Sequence, residues 1–185
     1  MAYHLRKRKT IPPMLDDLSD EELEDEIKEL CFELMYRTLF SRKNPKDDQI
    51  QEKMFVLQNI ITPRMLSIKD KHYAYNIYQM GYNELRKINS VKSPLQKCKV
   101  IFQSINCLSS LFEESMPTAD ELFPIIVYMI MCANPPNFQT NIDFIQKFLP
   151  HDRKMNKEGF VITNILAAIE FLEKMDGTAL LEGKV

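Results

Sequence analysis

Within "MPTADELFPIIVYMIMCANPP", residues 116–136, Thr118 is followed three residues later by Glu121. This spacing lets a hydroxyl and a carboxylate satisfy each other's backbone donors at a helix start. Asp120 sits between them, at the positive end of the helix dipole. Pro124 follows inside the same helix and cannot donate to the carbonyl four residues back, which is that of Asp120. From Leu122 to Ala133 no residue is charged. A helix that is apolar all round is either buried or meets a partner. The motif therefore predicts a bent helix mouth carrying a carboxylate and an unbonded carbonyl. For Asp120 by itself, the ordinary alternative is a residue that merely suits the dipole.

Other chemistry is scarce. The sequence has no G-x-S-x-G, no Walker-type glycine loop and no H-E-x-x-H, and its 4 glycines give little material for a phosphate cradle. His4, His72 and His151 lie in a tail, a charged stretch and a loop, without the spacing of zinc ligands. Cys31, Cys98, Cys107 and Cys132 form no C-x-x-C pair and fall within apolar helical patterns, which reads as core thiols in a reducing compartment. No metal or cofactor is expected. Function is then sought on a binding surface.

The elements that position this surface read as helices throughout. Ser19 and Glu22 form a capping box for a helix to about residue 41, with Leu23, Ile27, Leu30, Leu34 and Phe40 along it. A second helix is predicted from Asp48 to Ile61, with Ile50, Met54, Phe55, Leu57 and Ile61 inward, and "TPRML" starts a short third. The fourth covers residues 69–88, with Tyr73, Ile77, Met80, Leu85 and Ile88 on one face. Ser93 and Pro94 start the fifth, and the Thr118 helix is sixth. After "NPPN" a seventh runs from Thr140 to Phe148, and an eighth from Glu158 to Met175, ending at Gly177. No segment alternates as a strand would. The expectation is an all-α, layered bundle of about eight helices.

Charge is balanced, with a formal net charge of -2, which gives no footprint for nucleic acid. No secretory signal is visible, and the longest uncharged stretch, Leu122 to Ile142, is broken by prolines and turns polar, so no membrane span is expected. Residues 1–18 read as a flexible tail whose Arg6, Lys7, Arg8 and Lys9 are solvated or, alternatively, touch an anionic membrane weakly. The organisation expected is this tail, a bundle helix and loop at 19–47, a main domain at 48–176 and a short tail at 177–185.

"TADELFP", "ANPPN" and "GFVITNILAAIEFLEKM", in that order and spacing, resemble the Vps-nine domain of guanine nucleotide exchange factors for endosomal Rab GTPases. "IQEKMFVLQNIITPRMLSI" and "SPLQKCKVIFQSINCLSSLF" are similar to upstream helices of that domain, and the resemblance covers residues 50–176. It implies a regulatory catalyst of GDP release with no covalent chemistry, acting on the nucleotide-free or GDP form of a Rab-five-like GTPase. A monomeric cytoplasmic protein, recruited peripherally to early endosomes, is implied with it. By the same resemblance Asp120 is an acidic finger for the nucleotide site, Pro124 the proline one turn later, and Thr163 the threonine of the last helix. Phe160 stands where the family usually has tyrosine. Phe123, Val127, Asn134, Pro135 and Asn164 are the implied lining of an apolar groove. A non-catalytic GTPase-binding or scaffold module of the same fold is the rival reading.

Overall fold

The computed structural model describes residues 19–40, 43–112, 117–155 and 157–176. The described residues form eight α-helices, with short 3-10 turns and no strand among them: α1 (Asp20–Leu39), α2 (Lys46–Leu57), α3 (Tyr75–Arg86), α4 (Pro94–Leu108), α5 (Ala119–Ala133), α6 (Phe138–Phe148), α7 (His151–Lys154) and α8 (Lys157–Lys174). None of the described helices is long and apolar enough to cross a membrane. The chain divides into two compact units, residues 1–41 and 42–185. The basic tetrad lies outside the described residues.

In the first unit, Ser19 caps α1 and completes the predicted box with Glu22. Leu23 is buried, but Leu30 and Leu34, expected on the covered face, are exposed, as is Cys31.

The second unit is built around α5. Ile125 to Met131 are buried without interruption because α2, α3 and α8 all pack against this helix. The α4 helix lies on α3, and α6 lies against α4 and α2. Of the remaining cysteines, Cys98 is buried and Cys107 and Cys132 are half-buried.

The α3 contact face departs from the predicted stripe. It is formed by Tyr78, Gly81, Tyr82 and Leu85, while Tyr73 and Met80 are exposed. Gly81 is the reason. A Cβ there would sit 3.1 Å from Met129 Sδ and 3.3 Å from the Ser104 carbonyl oxygen, tighter than most Cβ contacts, so a bare backbone lets α3 pack closely on α4 and α5 without displacing them. The helix also starts at Tyr75 rather than Lys69. Asp70–His72 form a 3-10 turn that buries His72 against Phe112, with ring centroids 4.5 Å apart. "TPRML" likewise gives a 3-10 turn, Pro63–Leu66, closed by Ser67 at φ 59°. Phe55, expected inward, is exposed.

"NPPN" is a hinge between two helices. Asn134 ends α5 at φ 40° and Asn137 starts α6 at φ 56°, left-handed conformations that asparagine tolerates better than most side chains. Arg86 donates to the terminal carbonyls of α5, at 2.9 Å to Ala133 and 3.2 Å to Cys132, satisfying acceptors the helix leaves open. Asn89 donates to the Pro136 carbonyl, and the fully buried Asn141 donates to Asn89 and to the Asn137 carbonyl. Lys97, also fully buried, donates from Nζ to Asn141 Oδ1 (2.7 Å) and to the Ile88 carbonyl (2.8 Å). A second polar knot joins α2 to α6: buried Asp47 accepts from the Thr140 N–H (3.2 Å) and from its hydroxyl.

Candidate functional site

The mouth of α5 presents two adjacent carboxylates in different situations. Thr118 is the N-cap, and its hydroxyl accepts from the Glu121 N–H at 3.3 Å. Glu121 returns the bond, accepting at Oε2 from the Thr118 N–H (3.4 Å) and hydroxyl (3.2 Å). Its other oxygen accepts from Lys69 Nζ at 2.9 Å. The Lys69 bond, followed by that of the Thr118 backbone, lowers the Glu121 carboxyl to a pKa of about 2. Asp120, one residue earlier, is exposed and makes no hydrogen bond or ion pair to another described residue. One carboxylate is held by the fold, and the other is open to a ligand.

Pro124 is half-buried, and α5 continues through it from Ala119 to Ala133. Lacking an N–H, it leaves the Asp120 carbonyl without its ladder bond, so an acceptor and a carboxylate belong to the same residue. Phe123 is half-buried, and its ring meets that of Phe171 on α8 edge-to-face, with centroids 5.9 Å apart at 80°. Phe171 is 44% exposed and extends the aromatic surface outward from α5.

The other predicted residues lie at the opposite end of α8. Phe160 is 67% exposed. Thr163 is exposed, and its hydroxyl donates to the Gly159 carbonyl at 2.9 Å. Half-buried Asn164 donates to the Phe160 carbonyl at 2.8 Å. From Phe160 to Phe171 is 11 residues, or about 16 Å along a helix. Phe160 and Thr163 thus lie about two to three helical turns along α8 from the Phe171 ring that meets Phe123. Such spacing suits a macromolecular partner better than a small molecule. Beside Thr163 a cleft of about 190 Å³ opens between α6 and α8, walled by Ile145, Leu149, Ile162 and Leu166.

Val127 and Pro135, expected to line the groove, are buried. Val127 faces neighbouring helices because α5 is covered on several sides at that depth. Asn134 is half-buried and donates to the Gln51 carbonyl at 3.1 Å, a structural bond between α5 and α2. Two residues of the mouth escaped the sequence reading. Phe171 was legible, since 11 residues is close to three helical turns and places it on the Phe160 face. Lys69 was not, because its partner Glu121 is 52 residues away.

Comparison with known proteins matches residues 78–177 to the vacuolar sorting protein 9 (VPS9) domain. This chain belongs to the VPS9-domain family. Its relatives include vacuolar protein sorting-associated protein 9A of Oryza sativa subsp. japonica, 34% identical over 141 residues (72% of this chain, 29% of the relative). The Arabidopsis thaliana protein of that name is 27% identical over 181 residues, covering 91% of this chain and 35% of its own. The Rab5 GDP/GTP exchange factor of Homo sapiens is 26% identical over 195 residues, 97% of this chain and 38% of the relative. The chain thus spans about a third of the length of these relatives. The VPS9 match contains Asp120, Pro124, Phe160, Thr163 and Phe171, whereas Lys69 and α2 precede it.

Proposed function

We propose that this VPS9 domain is a guanine nucleotide exchange module that accelerates GDP release from a Rab-five-like GTPase, with Asp120 as its acidic finger. The observation that carries the reading is the contrast at the α5 mouth: Glu121 is tied to Lys69 and Thr118, while the Asp120 carboxylate has no described partner. The names of several relatives, Rab5 GDP/GTP exchange factors, support the choice of GTPase.

A GTPase that loses nucleotide and magnesium is left with a phosphate-binding ammonium and no counter-charge. An ionised aspartate supplies that charge through a charge-assisted hydrogen bond and discourages phosphate from returning. Whatever stabilises the empty GTPase weakens the nucleotide by the same factor. A thousandfold faster release needs about 4 kcal/mol of selective stabilisation. The aromatic surface of Phe123, Phe171 and Phe160 receives the apolar part of the partner, and the protein acts as a monomer with no bond made or broken. In the cell it is cytoplasmic and recruited peripherally to early endosomes, with the tetrad Arg6 to Lys9 adding weak attraction to anionic lipid.

The test is release of fluorescent GDP from a panel of Rab proteins, with and without the chain. Acceleration confined to Rab-five-like members supports the proposal, and no acceleration of any member refutes it. A second reading, GTPase binding without catalysis, is favoured by one observation: Phe160 has no hydroxyl, and the nearby Thr163 proton is engaged by Gly159. It predicts a stable complex with unchanged GDP release.

A further inference from the structure

Lys69 lies outside the VPS9 match, in the short link between two 3-10 turns, yet it reaches the mouth of α5. Its immediate neighbour Asp70 does not compete for it. The Asp70 carboxylate accepts from Nε (3.0 Å) and Nη2 (2.8 Å) of the Arg64 guanidinium. Lys69 therefore delivers its charge across 52 residues to Glu121, at 2.9 Å. From this geometry we propose that Lys69 is a positioning residue: by holding Glu121 on the helix cap and cancelling its charge, it leaves Asp120, of the two described carboxylates at the α5 mouth, as the one presented to a partner's cation.

The inference rests on the exchange reading above and adds a selection between adjacent acids. A glutamate side chain is one methylene longer than aspartate, and Glu121 begins only one residue further along the helix. Nothing in its chemistry prevents it from serving an ammonium. What prevents it is that both of its oxygens are engaged, one by Lys69 and one by Thr118. Removing Lys69 frees the oxygen it held and leaves only the longer cap bonds from Thr118, at 3.2 and 3.4 Å against 2.9 Å for the bond from the ammonium. A cation in the GTPase site would then draw Glu121 off the cap.

This gives a readout that a merely structural role would not move. GDP release is measured for the native chain and for Lys69→Gln, each with and without Asp120→Asn, on the Rab that responds best. In the native background Asp120→Asn is expected to lower release more than tenfold. In the Lys69→Gln background the same change is expected to cost less than threefold, because Glu121 supplies the missing charge. Adding Glu121→Gln, which keeps the capping bonds, restores the tenfold penalty, and Lys69→Arg keeps it throughout. Lys69 is a surface side chain, so melting temperatures serve only to confirm that all variants fold. A tenfold penalty that persists in Lys69→Gln overturns the Lys69 inference alone. Absence of the penalty in the native background overturns the acidic-finger reading and this inference with it.

Discussion

Lys97 gives the most quantitative prediction for the fold. It is fully buried among Ile88, Asn141 and Phe144, and removal from water lowers its pKa from 10.5 to about 8. At about 1.4 kcal/mol per pH unit, this corresponds to about 3 kcal/mol against the charged form in the folded state. The folded pKa lies below the unfolded one, so between pH 8 and 10.5 the unfolded chain binds more protons. Stability contributed by this residue therefore rises with pH through that window. Between pH 7 and about pH 9.5 the gain is about 2 kcal/mol, from the two-state titration of one group. Other groups oppose it. Burial pushes the Cys98 thiol up to about 12 and raises the Tyr78, Tyr82 and Tyr128 phenols, and stability from these is lost as pH rises past their ordinary values. The comparison is therefore made against Lys97→Met, in which those contributions are common and cancel. At pH 7 the variant is relieved of the buried charge but leaves Asn141 Oδ1 and the Ile88 carbonyl without this donor, changes of similar size and opposite sign. Urea unfolding at both pH values should show the native chain gaining about 2 kcal/mol on the variant at the higher pH, or about 4 to 8 °C in melting temperature. Parallel pH profiles would refute the reasoning.

Further outcomes follow from other parts of the structure. Phe160→Tyr restores a hydroxyl on an exposed ring and should raise exchange by the equivalent of about 0.5 to 1.5 kcal/mol, as read from GDP release. Asp47→Ala removes the acceptor for two Thr140 donors in a buried site and should destabilise by about 1 to 3 kcal/mol in urea unfolding. Asn134→Ala should cost about 1 to 2 kcal/mol by the same measurement, because alanine is strained at φ 40°. Asn134→Gly removes that strain, so it should retain more stability than alanine even though both lose the bond to Gln51.

The parts of the molecule set by local chemistry were readable in the sequence. Ser19 with Glu22 and Thr118 with Glu121 marked two helix starts, and both boxes are formed. "NPPN" announced a break, and its asparagines are the two left-handed residues that make it. Reading failed where a distant contact outweighs the local pattern. A search for apolar stripes gives Gly81 no weight, although the α3 packing face is centred on it. His72 lies in a charged segment that suggests helix, but its ring is taken by Phe112, 40 residues on. His151–Lys154 form a single helical turn where the sequence reads as loop, because four residues are too few to show a period. At the site, the sequence pointed to Asp120 but could not distinguish it from a capping residue. The structure adds that Lys69 occupies Glu121 and not Asp120, a contact 52 residues apart that no local pattern shows.

The charge on Asp120 is where the functional reading stands or falls, and Asp120→Asn removes it while retaining shape and much of the hydrogen bonding. As one exposed residue in the first turn of α5, Asp120 contributes about 0.3 to 1 kcal/mol to stability through the helix dipole, so melting should move by only a few degrees. GDP release from the best-responding Rab, measured on the native chain and this variant together, should fall by well over tenfold. Release at the native rate by a folded Asp120→Asn would contradict the electrostatic mechanism.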